Sequence, residues 1–269
     1  MRFWLGTHEP AWLSRTSVPL FISVHRLARL KRLPRALGPL AIDSGGYSSL
    51  SRPPYRWTFT PQQYIAEVRR CSAALGRVEW CAPMDWMCEP WILQNTGLSV
   101  AEHQARTIAS VVELRQLAPE IQWAPVLQGW VLDDFLRHAD AYVRAGVDLA
   151  RETIVGVGSV CRRQATDAAV EIFAGLSRLR LRLHGFGFKK QGLLRVAGYL
   201  DSSDSLAWSF DARRLQRPVC GSLTHKNCAN CLSYALRWRT DVLRFIARAR
   251  PRQLRLPLVE QRSSQLALL

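Results

Sequence analysis

No apolar run in this chain approaches the ~20 residues needed to cross a bilayer. Its first residues, Met1-Arg2-Phe3-Trp4, also lack the apolar stretch and cleavage site of a secretory signal. The two absences predict a soluble, cytoplasmic protein with no membrane partner. Internal repeats and low-complexity segments are missing too, which excludes a solenoid or repeat array. Acids are in short supply: 21 Asp and Glu stand against 37 Lys and Arg, for a formal net charge of +16 and a pI of about 10.4. That imbalance attracts polyanions, nucleic acid first among them. The excess sits in clusters, one at Arg26, Arg29, Lys31, Arg32 and Arg35, one at Arg178, Arg180 and Arg182, and one at Arg213, Arg214 and Arg217. A longer one runs from Arg237 through Arg239, Arg244, Arg248, Arg250 and Arg252 to Arg255.

What the chain does have is apolar material in short pieces. At 269 residues and 48% hydrophobic it can bury a large core. Eight short apolar runs are predicted as strands, at residues 3–6, 20–24, 40–42, 78–81, 123–127, 153–157, 181–185 and 198–200. Helical patterns separate most of them, which is the mark of βα units and a parallel sheet. Helix starts are signalled by Thr60-Pro61, by the capping box from Ser99 to Glu102, by Asp133 or Asp134, and by Thr166. Eight strands suggest closure into a (β/α)8 TIM barrel. The expected organisation is a barrel over residues 1–215, a small metal-binding appendage with an arginine-rich helix over 216–250, and a flexible tail over 251–269.

In such a barrel the active site is built at the carboxyl ends of the strands. There the sequence places Asp43-Ser44-Gly45-Gly46-Tyr47, Met84-Asp85, Gln128-Gly129-Trp130, Gly156-Val157-Gly158-Ser159, His184-Gly185-Phe186-Gly187 and Asp201-Ser202-Ser203-Asp204. A single aspartate in a loop is as readily a helix cap or a turn former. Three loops that carry acids, beside Gln-Gly and Gly-x-Gly, point to a site.

Four of the seven cysteine and six histidine positions are grouped, at Cys220, His225, Cys228 and Cys231. The two-residue gap in Cys228-Ala-Asn-Cys231 lets both thiolates reach one tetrahedral ion, and Cys220 and His225 complete a Cys3His set. Structural Zn2+ is the expected cofactor, because a disulfide framework does not suit a cytosolic chain. Cys71, Cys81, Cys88 and Cys161 have no such spacing and are expected in the core or in loops.

These motifs occur in the order found in tRNA-guanine transglycosylases. Asp43-Ser-Gly-Gly-Tyr47, Met84-Asp85, Leu127-Gln-Gly129, Gly156-Val-Gly158, Asp204-Ser-Leu-Ala and the downstream Cys/His site resemble that superfamily over about residues 40–238. The resemblance implies a zinc-containing TIM barrel that exchanges guanine in a polynucleotide for a 7-deazaguanine such as preQ0 or a derivative. Carried over by position, Asp204 would be the nucleophile on C1′ and Asp43 the acid and base. Asp85, Gln128, Gly129, Gly156, Gly158, Ser44 and Tyr47 would bind the base. The physics agrees: a carboxylate such as Asp85 accepts from N1–H and N2–H2 of guanine, while Gln128 or backbone N–H groups donate to O6. Tyr47, the compact Cys-x4-His-x2-Cys-x2-Cys cluster and the short chain depart from the tRNA enzymes. They are most similar to the short DNA-modifying branch of phages and bacterial modification islands, so DNA is the expected polymer, in the host cytoplasm if phage-encoded. tRNA exchange and a non-catalytic zinc-stabilised nucleic-acid-binding subunit are the alternatives.

Overall fold

A computed structural model describes residues 1–222 and 224–253, with side chains to residue 248. The chain starts in β1 (Arg2–Thr7), continues to β2 (Leu20–Ser23) and the single-turn α1 (Val24–Leu27), and returns through β3 (Leu40–Asp43) to α2 (Gly46–Leu50). Helix α3 (Pro61–Leu75) opens where the sequence signals it. The Thr60 hydroxyl accepts from Gln63 N–H, the Gln63 side chain accepts from Thr60 N–H, and proline stands at the first helical position. After β4 (Val78–Cys81) come α4 (Pro90–Thr96) and α5 (Val100–Leu117), the latter capped by the Ser99–Glu102 box. Each such cap is worth about 1 kcal/mol. Then follow β5 (Val126–Leu127), α6 (Leu132–Arg144), β6 (Val155–Val157), α7 (Asp167–Ser177), β7 (Leu183–Gly185), α8 (Lys190–Val196), β8 (Ser202–Ser205), α9 (Ala207–Leu215) and α10 (Leu232–Gln253). Of the expected tail, residues 254–269 lie outside the described residues.

The strands form one eight-stranded sheet in the order β4-β3-β2-β1-β8-β7-β6-β5, and every pairing is parallel. The sheet curls until its two edges meet at a single bridge, Cys81 with Trp123, supported by Cys81 N–H to Gln122 O and Ala124 N–H to Cys81 O. This is a mixed α/β fold compatible with a TIM-like barrel. Inward-facing Trp4, Phe21, Ala41, Trp80, Ala82, Ala124 and Ile154 fill the interior, with Phe186 partly buried against them. The larger apolar cluster lies between the sheet and its helices. Among the described residues no helix is long and apolar enough to cross a membrane.

Two strands differ most from expectation, and β6 and β7 each begin two residues later than expected. Only Val126–Leu127 of the run at 123–127 pairs as strand, with Trp123 in the lone bridge. The last strand is Ser202–Ser205, not 198–200, and Ala197–Tyr199 is a short 3-10 turn. Ser-Ser-Asp-Ser carries no apolar signal, yet all four residues are buried. Their polar side chains are satisfied in place: the Ser202 hydroxyl is bonded to His184 Nδ1 at 2.8 Å and Ser203 donates to Gly185 O at 2.7 Å. A buried polar strand is stable only with such partners. Helices α1, α2 and α9 carry no start signal in the sequence, and α4 has only the proline at its first position, Pro90.

Candidate active site and metal centre

Parallel pairing sends the carboxyl ends of all eight strands to one rim. Asp43 is the last residue of β3 and Asp204 the third of β8, while Asp85 lies four residues past the end of β4. Two cavities open there. One, of about 320 Å³, is walled by Tyr47, Asp85, Glu89, Gln128, Gly158, Ser159 and Phe186. The other, of about 710 Å³, runs past Thr7, His8, Ser23, His25 and Arg52. They share Phe21, Asp43, Asp204 and Leu206 as a common wall.

The smaller cavity is built around Asp85. Gln128 Nε2 donates to Asp85 Oδ2 at 2.5 Å and the fully buried Ser44 hydroxyl donates to Oδ1 at 3.3 Å. Behind Gln128, the Ser159 hydroxyl lies 2.7 Å from Gln128 Oε1 and 3.0 Å from Glu89 Oε2, and accepts from Cys88 N–H at 2.7 Å. One hydroxyl proton serves two acceptors there. Ser159 has φ 54°, a left-handed conformation held by these contacts. Burial pushes the Asp85 carboxyl up to about 6 against the hydrogen bonds from Gln128 and Ser44. Asp43 is pushed up to about 7, first by burial and then by the charges of Asp85 and Asp204, against hydrogen bonds from Gly45 N–H and the Ser23 hydroxyl. Asp204 Oδ1 accepts from Gly187 N–H at 2.8 Å and lies 3.4 Å from Nε2 of the fully buried His184.

Asp43, Ser44, Tyr47, Asp85, Gln128, Gly158 and Asp204 thus gather at one rim. The glycines act through the space they leave. Gly156 N–H is bonded to Pro125 O and Gly158 N–H to Leu127 O, so neither is free to read a base. A Cβ on Gly156 would meet the Phe186 ring at 2.5 Å, and one on Gly158 the Gln128 amide at 2.3 Å. Gly129 does not line the cavity; a Cβ there would strike Asp134 and Phe135 of α6. Asp201 stands at the opposite, amino end of β8, exposed, its carboxylate accepting from Leu183 N–H at 3.0 Å. Of the aromatics near the rim, Trp208 is fully buried and donates to Gly6 O, whereas Tyr47 is 45% exposed beneath the Arg162 guanidinium. Glu89 joins the site without a sequence signal, whereas His184 lies in one of the rim segments to which the sequence points. Glu89 precedes Pro90 at a helix start and reads as a cap, and His184 is one inward position on a short strand.

The cysteine group is a separate site. The ligand atoms of Cys220, His225, Cys228 and Cys231 all lie within 4.8 Å of one another, with His225 Nε2 3.2 Å from Cys220 Sγ and 3.6 Å from Cys228 Sγ. Three thiols and an imidazole converging at that spacing fit a tetrahedral metal ion, consistent with zinc. The loop is braced on the rest of the fold: Ser209 donates to Ala229 O at 2.9 Å, and His8, stacked on Trp208, shares a 2.8 Å hydrogen bond with Asn230.

The rim of this parallel sheet brings two carboxylates, Asp43 and Asp204, to one shared wall, and a pair of acids is what a glycosyl-transferring enzyme uses. A family model described as DpdA, DeoxyPurine in DNA protein A, matches residues 1–257. The chain belongs to that family, the DNA 7-deazaguanine transglycosylases related to the tRNA-guanine transglycosylases. No curated protein matches the chain.

Proposed function

We propose that this protein exchanges guanine in DNA for a 7-deazaguanine, preQ0 or a derivative, on a (β/α)8 barrel over residues 1–215 with a structural zinc appendage over 216–250. The shared wall carries the reading: Asp43 and Asp204 line both cavities. A bond joining a sugar in the larger chamber to a base in the smaller one must pass between them.

In the first half-reaction an Asp204 carboxylate oxygen bonds to C1′ as the C1′–N9 bond breaks. The bonding pair leaves with guanine, and the Asp43 proton passes to the departing ring. In the second, N9 of the incoming base bonds to C1′, its N9 proton returns to Asp43, and the Asp204 oxygen departs. Asp43 therefore begins and ends protonated, which its raised pKa of about 7 supports near neutrality. Asp85 accepts from N1–H and N2–H2, and Gln128, whose amide has two hydrogens, can hold Asp85 and still donate to O6. Cys220, His225, Cys228 and Cys231 would hold a zinc ion with no open position, fixing the loop and taking no part in the exchange.

Covalent trapping tests the assignment. Asp204→Ala is expected to lose the protein–DNA adduct and Asp201→Ala to keep it; the reverse would transfer the role to Asp201. Labelled 7-deazaguanine offered with duplex DNA and with bulk tRNA at matched salt tests the polymer. Incorporation into tRNA alone would put the tRNA reading in its place.

A further inference from the structure

The larger chamber is walled on one side by two short helices that follow strands, α1 with the residues just past it and α2 with the residues just past it. Between them they bring Arg26, Arg29 and Arg52 to one cavity with Asp43 and Asp204. All three arginines are exposed, and among the described residues none has a side-chain hydrogen bond or ion pair. Elsewhere the arginines near acids are matched: Arg2 with Glu79, Arg69 with Glu120, Arg115 with Glu152. Among the described residues no carboxylate lines this chamber except Asp43 and Asp204. Three guanidiniums left unneutralised around one concavity call for anionic oxygens from outside, and their planar donor forks suit phosphate. Hydroxyls of Ser48 and Thr58 line the same wall and can donate to the same oxygens.

We infer that Arg26, Arg29 and Arg52 form a phosphate cradle, which grips the phosphodiesters flanking the target nucleotide while its base enters the smaller cavity. The inference rests on the proposed exchange in DNA and adds where the strand lies. The covalent logic is short: a nucleotide's own phosphates are only a few bonds from C1′, so a sugar held against Asp204 brings them into this chamber. The cradle also supplies contacts that offset the few kcal/mol needed to extrude a base from a duplex. The arginine-rich helix α10 is less free to make such contacts. There Arg239 is half-buried and donates to Phe3 O, Arg237 donates to Val219 O, and Arg244 pairs with Asp241.

The test compares two charge-matched variants of the full chain by equilibrium binding to one duplex oligonucleotide across a salt series. Arg26→Gln/Arg29→Gln/Arg52→Gln removes the cradle. Arg178→Gln/Arg180→Gln/Arg182→Gln removes the same charge from the exposed turn before β7, at the amino end of the strands. The cradle variant is expected to lower the slope of log K against log salt by about two to three, close to 0.9 for each phosphate that is no longer neutralised. The turn variant should lower it by less than one. Calorimetric binding of free guanine should be unchanged in both, which shows each is folded with its base cavity intact. Equal slope losses in the two variants, or none in the cradle variant, would overturn the cradle. Failure of the unmodified protein to exchange base in DNA would sink the proposed function instead, and is read without any variant.

Discussion

Asp43 and Asp85 are carboxylates of similar setting with different expected duties, and their substitutions should separate. Asp85→Ala removes charged hydrogen bonds worth about 1.5–3 kcal/mol each, so KM for the incoming base should rise by roughly 100-fold with kcat little changed. Asp43→Ala should instead cut kcat by roughly 100- to 10,000-fold. Identical losses in both parameters would mean that the two roles are misassigned. The raised pKa of Asp43 adds a pH signature: kcat/KM for DNA should fall above about pH 7 as the proton is lost, and a flat profile from pH 6 to 8 would remove Asp43 from proton transfer. The same group affects stability. Its folded value lies above that of an unfolded aspartate, near 4, so the native state keeps the extra proton through that window and stability falls as pH rises across it. Asp43→Asn should therefore raise stability at pH 8, by the order of 1 kcal/mol after allowance for water in the cavity, and leave it unchanged at pH 4, as read from Tm at the two pH values.

At the scale of elements, the Cys/His loop and α9 act as one brace between β8 and α10. Cys228→Ser, or chelation of the unmodified protein, should empty the site and lower Tm by roughly 5–10 °C, at about 2–4 °C for each kcal/mol in a domain of this size. Base binding should survive, since no ligand of the cluster lines the smaller cavity. DNA affinity should fall, because His8 joins the loop to the larger chamber. Unchanged zinc content and Tm would defeat the site. Much of this level was legible in the sequence: Thr60-Pro61, Ser99–Glu102 and Thr166 mark helix starts through local backbone chemistry, and the start of β4 falls where its apolar run begins. What was not legible depends on the environment. Ser202–Ser205 is a strand because His184 and Gly185 satisfy its hydroxyls across the sheet, and the glycines at 156 and 158 make room for Phe186 and Gln128, partners distant in sequence.

For the whole molecule, the seam of the curled sheet matters beyond architecture. Seven neighbouring strand pairs are laddered, but β4 and β5 meet through the one bridge between Cys81 and Trp123. Asp85 lies just beyond the end of β4 and Gln128 directly after β5, so their 2.5 Å hydrogen bond crosses that gap. Amide hydrogens near residues 81–85 and 123–128 should therefore exchange with deuterium faster than those of β1 and β8 in the free protein, since local opening follows the least paired backbone. A purine gripped by both side chains would act as an added rung and slow exchange on both sides of the gap. Equal protection with and without base would mean that the seam is already closed. If the rung forms, the guanine edge does more than select the substrate: its arrival stiffens the weakest join in the cylinder, and its departure between half-reactions lets that join breathe while the incoming base takes its place.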